Sequence, residues 1–205
     1  MLGEENSRET QFLLRAANMS LLIPPHVYAI YQHGQGEDED GGWQRLAYFV
    51  VASSKVLVGL PDLSDDLFEA LDALGGVDLL FLTERAYHGL AAYQEAFGCK
   101  VLRRADATSD LLVIEQPGKH RHYLHYSGAD SVIFASDYLA SDEGKLITTV
   151  EYPLAEDEVA SLSARLLEYD FAAVLTERVR GEFITEGGRA AVAGLTVGCK
   201  PAAKE

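Results

Sequence analysis

Leu79-Leu80-Phe81-Leu82-Thr83-Glu84-Arg85-Ala86-Tyr87-His88-Gly89 is the stretch on which the fold turns. Its first four residues form a short continuous apolar run, the pattern of a strand buried on both faces. A helix-like segment follows over residues 90–97 and stops at Gly98. Upstream, Ser64 suits an N-cap, and Asp65 and Asp66 suit the positive end of a helix dipole. Leu67, Ala70, Leu71 and Leu74 then fall on one helical face, and Gly75-Gly76 ends the helix. The order helix, buried strand, polar loop, helix indicates a mixed α/β chain.

Composition narrows the function. The 205 residues suffice for one domain with a substantial core, expected over residues 19–198, with a polar extension at 1–18 and a short tail at 199–205. Lys and Arg total 17 against 32 Asp and Glu, a formal charge of −15. Such a surface repels phosphate backbones and anionic lipid, so neither nucleic acid nor a membrane surface is expected as a partner. Residues 1–17 lack the basic start and apolar centre of a signal peptide, and no run is long enough to span a bilayer. Two cysteines, Cys99 and Cys199, without CxxC spacing fit a reducing, cytoplasmic setting.

Elsewhere the chain alternates strands and helices. Residues 26–32, 45–52 and 55–58 are predicted strands, the first two joined by a polar loop with an acidic run at Glu37-Asp38-Glu39-Asp40 that reads as a solvated turn. Strands are also predicted at 100–102, 110–114, 120–126, 131–134 and 171–175, helices at 156–169 and 186–195, and an irregular stretch at 137–153. No internal repeat is evident.

Several pieces in this order are similar to the metallo-β-lactamase superfamily, over roughly Leu21 to Phe183. They are Val56-Leu57-Val58-Gly59-Leu60-Pro61, Leu74-Gly75-Gly76-Val77-Asp78 running into the stretch above, and Ala96-Phe97-Gly98-Cys99-Lys100-Val101. Pro117-Gly118-Lys119-His120, Ile133-Phe134-Ala135-Ser136-Asp137 and Leu166-Leu167-Glu168-Tyr169-Asp170-Phe171 continue the match. The resemblance implies an αββα four-layer sandwich, two mixed sheets flanked by helices, with the site at one edge. It also implies one or two ions of zinc, iron or manganese, held by a His-x-His-x-Asp-His loop, the His of Pro-Gly-His-Thr, the Asp of Gly-Asp and a last His. Such ions acidify a bound water for hydrolysis.

Carried over position by position, the loop motif falls on Glu84, Ala86, His88 and Gly89, the turn histidine on Lys119, the aspartate on Asp137 and the last histidine on Arg178 or a neighbour. A strand-end aspartate expected near Gly59 is missing. Asp137 matches unambiguously, and one carboxylate cannot satisfy a zinc that takes three or four ligands. Lys119 and Arg178 bring fixed positive charge where imidazoles are expected, and Glu84 and Asp137 bring negative charge. A pairing of Asp137 with Lys119 or Arg178 would spare a buried carboxylate the penalty of an unpaired charge.

Other groups compete. His120 and His122 share one face of a strand while His125 points to the other, so a relocated metal site would combine His120 and His122 with a third ligand from Asp137, Glu84 or His88. His88 also reads as an ordinary helix-start imidazole, and Glu177 with Arg178 as a solvated ion pair. No nucleophile-elbow serine and no phosphate loop is present.

The expected function is therefore that of a pseudoenzyme: a metallo-β-lactamase-like protein with a degenerate site, no resident metal and no hydrolysis. It would serve as a binding or structural module with Lys119, Arg178, Asp137 and Glu84 facing an anionic small molecule. The alternative is a metal-dependent hydrolase with a non-standard set of Asp137 and His88, His120 or His122. A protein partner or a homo-oligomer is the remaining reading.

Overall fold

The computed structural model describes residues 10–32, 42–83, 89–116, 122–128, 131–135, 138–149 and 154–197. The chain divides into two compact units, Met1–Gln35 with Arg45–Asp110, and Gly36–Gln44 with Leu111–Glu205.

In the first unit, a helix over residues 10–16 (α1) leads into the strands β1 (Met19–Ile23), β2 (Val27–Gln32), β3 (Gln44–Val51) and β4 (Lys55–Val58). Each pairs antiparallel with the next, with Tyr28 opposite Phe49 and Phe49 opposite Leu57. Helix α2 (Asp65–Ala73) then carries the chain to β5 (Leu79–Phe81), parallel to β4. Helix α3 (Leu90–Phe97) carries it to β6 (Lys100–Val101), parallel to β5.

The local signals act as expected here. Ser64 accepts a hydrogen bond from the Leu67 N–H at 3.2 Å, satisfying one orphan donor of the first turn. Leu67, Ala70 and Leu71 are buried against Phe49, Leu57, Leu80 and Tyr93. Gly75 and Gly76 take φ of +98° and +80°, and the Lys55 side chain runs where a Cβ on Gly75 would stand. Leu13 and Leu14 pack on this core, in which Ala17 and Met19 are both buried. Strand β1 is an addition to the sequence reading: its Leu21 is exposed, so the pattern Met19–Ile23 gives no clean alternation.

The second unit holds β7 (Leu111–Glu115), β8 (His122–Tyr126) and β9 (Val132–Phe134), antiparallel in turn, with β12 (Ala173–Leu175) parallel to β9. A further group comprises β10 (Leu139–Asp142), β11 (Lys145–Thr148) and β13 (Arg178–Arg180). Here β10 pairs antiparallel with β11 and parallel with β13. Helices α4 (Glu156–Leu166) and α5 (Gly188–Ala193) complete it. Its core gathers Tyr123, Ile133, Leu139, Leu162, Leu166 and Val174, each at most 2% exposed, as the helical spacing of 156–169 implies.

The predicted irregular stretch 137–153 is corrected: it contains the β10–β11 hairpin. Leu139-Ala140-Ser141-Asp142 has little intrinsic strand preference. Its conformation comes from partners distant in sequence, the Ser141 N–H donating to Thr176 Oγ1 at 3.1 Å and Ser141 Oγ donating to the Glu182 carbonyl at 2.9 Å. Glu143 and Gly144 form the hairpin tip with φ of +48° and +73°.

Candidate functional site

In the second unit the parallel strands β9 and β12 end together, the Ala135 N–H donating to the Leu175 carbonyl at 2.8 Å. The next residue on β12, Thr176, is fully buried; its Oγ1 donates to the Arg178 carbonyl at 2.8 Å and accepts from the Ser141 N–H. This fixes the turn that starts β13 and sets half-buried Arg178 opposite Ala140 in the parallel register. On the other side, Tyr138 is held at the entry to β10 by its carbonyl, which accepts from the Thr149 N–H at 2.9 Å. Thus Arg178 and the residues flanking Asp137, Ala135 and Tyr138, come from neighbouring strand ends. Asp137 itself lies outside the described residues, as do Glu84, Ala86, His88, Lys119 and His120.

In the first unit the loop motif is described at its last position. Gly89 caps α3 with φ +86° and ψ −9°, accepting from the Ala92 and Tyr93 N–H groups at 3.0 and 3.3 Å. It stands where the motif has an imidazole, in the left-handed region that L-residues adopt at a cost of roughly 1–2 kcal/mol. Gly59, near the missing aspartate, has φ +80° and donates its N–H to the Phe81 carbonyl, tying the ends of β4 and β5.

His122 and His125 fall on opposite faces of β8, as strand alternation implies. His122 lies 3.8 Å from Glu115, its cross-strand neighbour, with both side chains more than 40% exposed. His125, set apart by alternation, is the built one: it is 8% exposed. Its Nε2 stands 2.7 Å from Ser131 Oγ and 3.0 Å from the Asp170 carbonyl, and Ser131 Oγ donates to the same carbonyl at 2.7 Å. A carbonyl oxygen only accepts, so the contact to Asp170 is a hydrogen bond in the tautomer with the proton on Nε2. In that tautomer His125 donates to Ser131 and Asp170 and is not a base for the Ser131 hydroxyl.

Sequence reasoning missed a further cluster. Arg180 on β13 makes two parallel hydrogen bonds to Asp142 on β10, Nε to Oδ1 and Nη2 to Oδ2, each 2.7 Å, and its guanidinium lies 5.1 Å from the Trp43 ring centroid. The signal available was Arg178-Val179-Arg180, an alternation of charge around one apolar residue, which reads as a strand only once its neighbour is known. Among the described residues, no group of three or more His, Cys, Asp and Glu is placed to hold a metal ion.

No protein-family model matches the chain, and no curated protein does. Solved structures do. The flavodiiron core of Flv1 from Synechocystis sp. PCC6803 overlaps with a TM-score of 0.51 at 12% identity, covering 79% of this chain and 57% of that one. A fragment of diflavin flavoprotein A 5 from Nostoc sp. PCC 7120 overlaps with a TM-score of 0.50 at 8% identity, covering 79% of this chain and 89% of that one. The likeness is one of fold. The chain has the metallo-β-lactamase-like α/β architecture of mixed sheets and helices, and it spans little more than half of the Synechocystis core.

Proposed function

We propose that this protein is a metallo-β-lactamase-fold module that binds a small anion through Lys119 and Arg178 and hydrolyses nothing. The supporting observation is what stands at the two described motif positions. Gly89 has no side chain, and its backbone conformation disfavours one. Arg178 is held on β13 and brings a permanently charged group with donors only.

The residues at the motif positions do not fit the family's metal centre. Ala86, Gly89, Lys119 and Arg178 offer no ligand to an ion, which leaves Glu84, His88 and Asp137 where the motif supplies a set for two. In this reading Asp137 pairs with Lys119 or Arg178, the side-chain cations standing in for the inorganic ones. An anion then competes with that carboxylate for the same two cations, as carboxylates and phosphates do for Arg and Lys generally.

Elemental analysis of untagged protein, prepared without added metal, decides between binding module and enzyme. The expected content is far below one ion per chain. About one equivalent of zinc, iron or manganese, lost in Asp137→Ala, overturns the reading in favour of a site on Asp137 with His88, His120 or His122. Thermal-shift titration with inorganic phosphate and simple carboxylates reads the anion: a stabilisation abolished in Lys119→Ala plus Arg178→Ala supports it, and one preserved in that variant overturns it.

A further inference from the structure

We propose that His125 is a proton-sensitive latch that holds the Tyr169–Asp170 connection against strands β8 and β9 near neutral pH and releases it as the medium acidifies. The inference is independent of the anion site. It rests on the junction around the ring. His125 comes from β8, Ser131 from the entry to β9, and the Asp170 carbonyl from the link between α4 and β12; the three polar atoms lie within 3.0 Å of one another. Ser131 also accepts from the Ala172 and Ala173 N–H groups at 2.8 and 3.3 Å, so the junction anchors the start of β12 as well.

Every polar atom in this triangle is committed. With Nε2 protonated and donating, a second proton must enter at Nδ1, and the ring then carries a full charge at a site 8% exposed. Its cross-strand neighbours are Leu112 on β7 and Ile133 on β9, which offer that charge no hydrogen bond. From the connection, the Tyr169 ring stands 5.5 Å away, and Asp170 is the anion that favours the charged form. Helix α4 contributes Arg165, stacked over Tyr169 and ion-paired with Glu168, and α5 contributes Arg189, which donates to the Tyr169 carbonyl. Glu168 meets the charge of Arg165, and the charged group that acts on the His125 ring is Asp170.

Burial prevails over Asp170 and pushes the His125 pKa below its ordinary 6.5. A histidine depressed in the folded state contributes stability that is complete above that ordinary value and is lost as pH falls through the lower, folded one. Opening the connection lets the ring reach water, so acidification favours the open form. One proton is taken up per opening event, and the opening constant rises at most about tenfold per pH unit in this window.

Hydrogen exchange of the Ala172 and Ala173 amides, followed from about pH 8 to about pH 5, tests it against His125→Gln at each pH, which cancels the intrinsic pH dependence of exchange. Glutamine keeps a donor for the Asp170 carbonyl and cannot be protonated. Protection in the wild type relative to the variant is expected to hold above pH 6.5 and to fall below it. A ratio independent of pH overturns the latch. If His125→Gln does not fold, the nitrogen spectrum of the wild-type ring decides: an Nε2-protonated tautomer titrating below 6.5 supports the proposal, and an Nδ1-protonated tautomer or an ordinary titration overturns it. Ser131→Ala should lower protection at neutral pH while retaining the pH dependence; loss of the dependence there counts against His125 as its origin.

Discussion

Asp142 and Arg180 face one another across the parallel strands β10 and β13 as register partners, their carboxylate and guanidinium joined by two hydrogen bonds of 2.7 Å. The geometry is the bidentate fork that arginine forms and lysine cannot. Trp43 supports the guanidinium from the side, 5.1 Å from ring centroid to carbon. The pair is partly exposed, 40% at Arg180 and 23% at Asp142, so solvent screens much of its Coulomb energy.

Asp142→Ala is therefore expected to destabilise the fold by about 1 kcal/mol in chemical denaturation. Arg180→Lys should recover little of the same interaction, because it keeps the charge and loses the fork and the stacking. Equal stability of Arg180→Lys and the wild type would show that charge alone operates there.

Gly181 has φ +73°, and the Glu143 carboxylate approaches to 2.5 Å of the position a Cβ would take. Gly181→Ala should cost roughly 1–2 kcal/mol of left-handed strain, because the Glu143 carboxylate is the far end of a flexible side chain and can swing aside. The double variant Gly181→Ala plus Glu143→Ala should therefore recover little of that loss. Thermal melts of the two variants check this: a large recovery in the double variant would show that the carboxylate is held in place.

Asp110 accepts from Ser53 twice, N–H at 2.9 Å and Oγ–H at 2.6 Å, and from Thr108 Oγ1 at 2.7 Å. Burial works to raise its pKa, but these hydrogen bonds outweigh it and hold the carboxyl below its ordinary 3.8. Its contribution to stability is complete above that value and disappears as pH falls through the lower folded one. The stability gap between wild type and Asp110→Asn should shrink on acidification below pH 3.8, measured by urea unfolding across that range.

Leu162 on α4 is fully buried among Leu139, Val159 and Leu166. Leu162→Ala should cost about 2–5 kcal/mol, the spread set by how far the cavity collapses. The same substitution at Leu21, 45% exposed on β1, should change stability by less than about 1 kcal/mol.

What the sequence discloses and what it hides follow from the range of the forces. Ser64, the acids after it and Gly98 act within one helical turn, so α2 and α3 are read directly from neighbouring residues. The strand 79–81 announces itself because it is apolar throughout. Strands β10 and β13 do not, since Ser141, Asp142 and Arg178 acquire extended structure from partners some forty residues away. His125 hides for a related reason: its partners are Ser131 and the carbonyl of Asp170, and a backbone oxygen leaves no trace in a motif. Of the site, Arg178 and Gly89 are placed, while the pairing of Asp137 with Lys119 falls outside the described residues.

Trp43 gives the chain a property that matters to anyone who would divide it. The indole precedes β3, deep in the first half of the sequence, yet the stretch Gly36–Gln44 that carries it belongs to the second unit, where Arg180 lies. A fragment beginning at Leu111 leaves that ring behind, so no single cut yields two halves each with its complement of residues. Split reporters, limited proteolysis and truncation should be designed around two breakpoints.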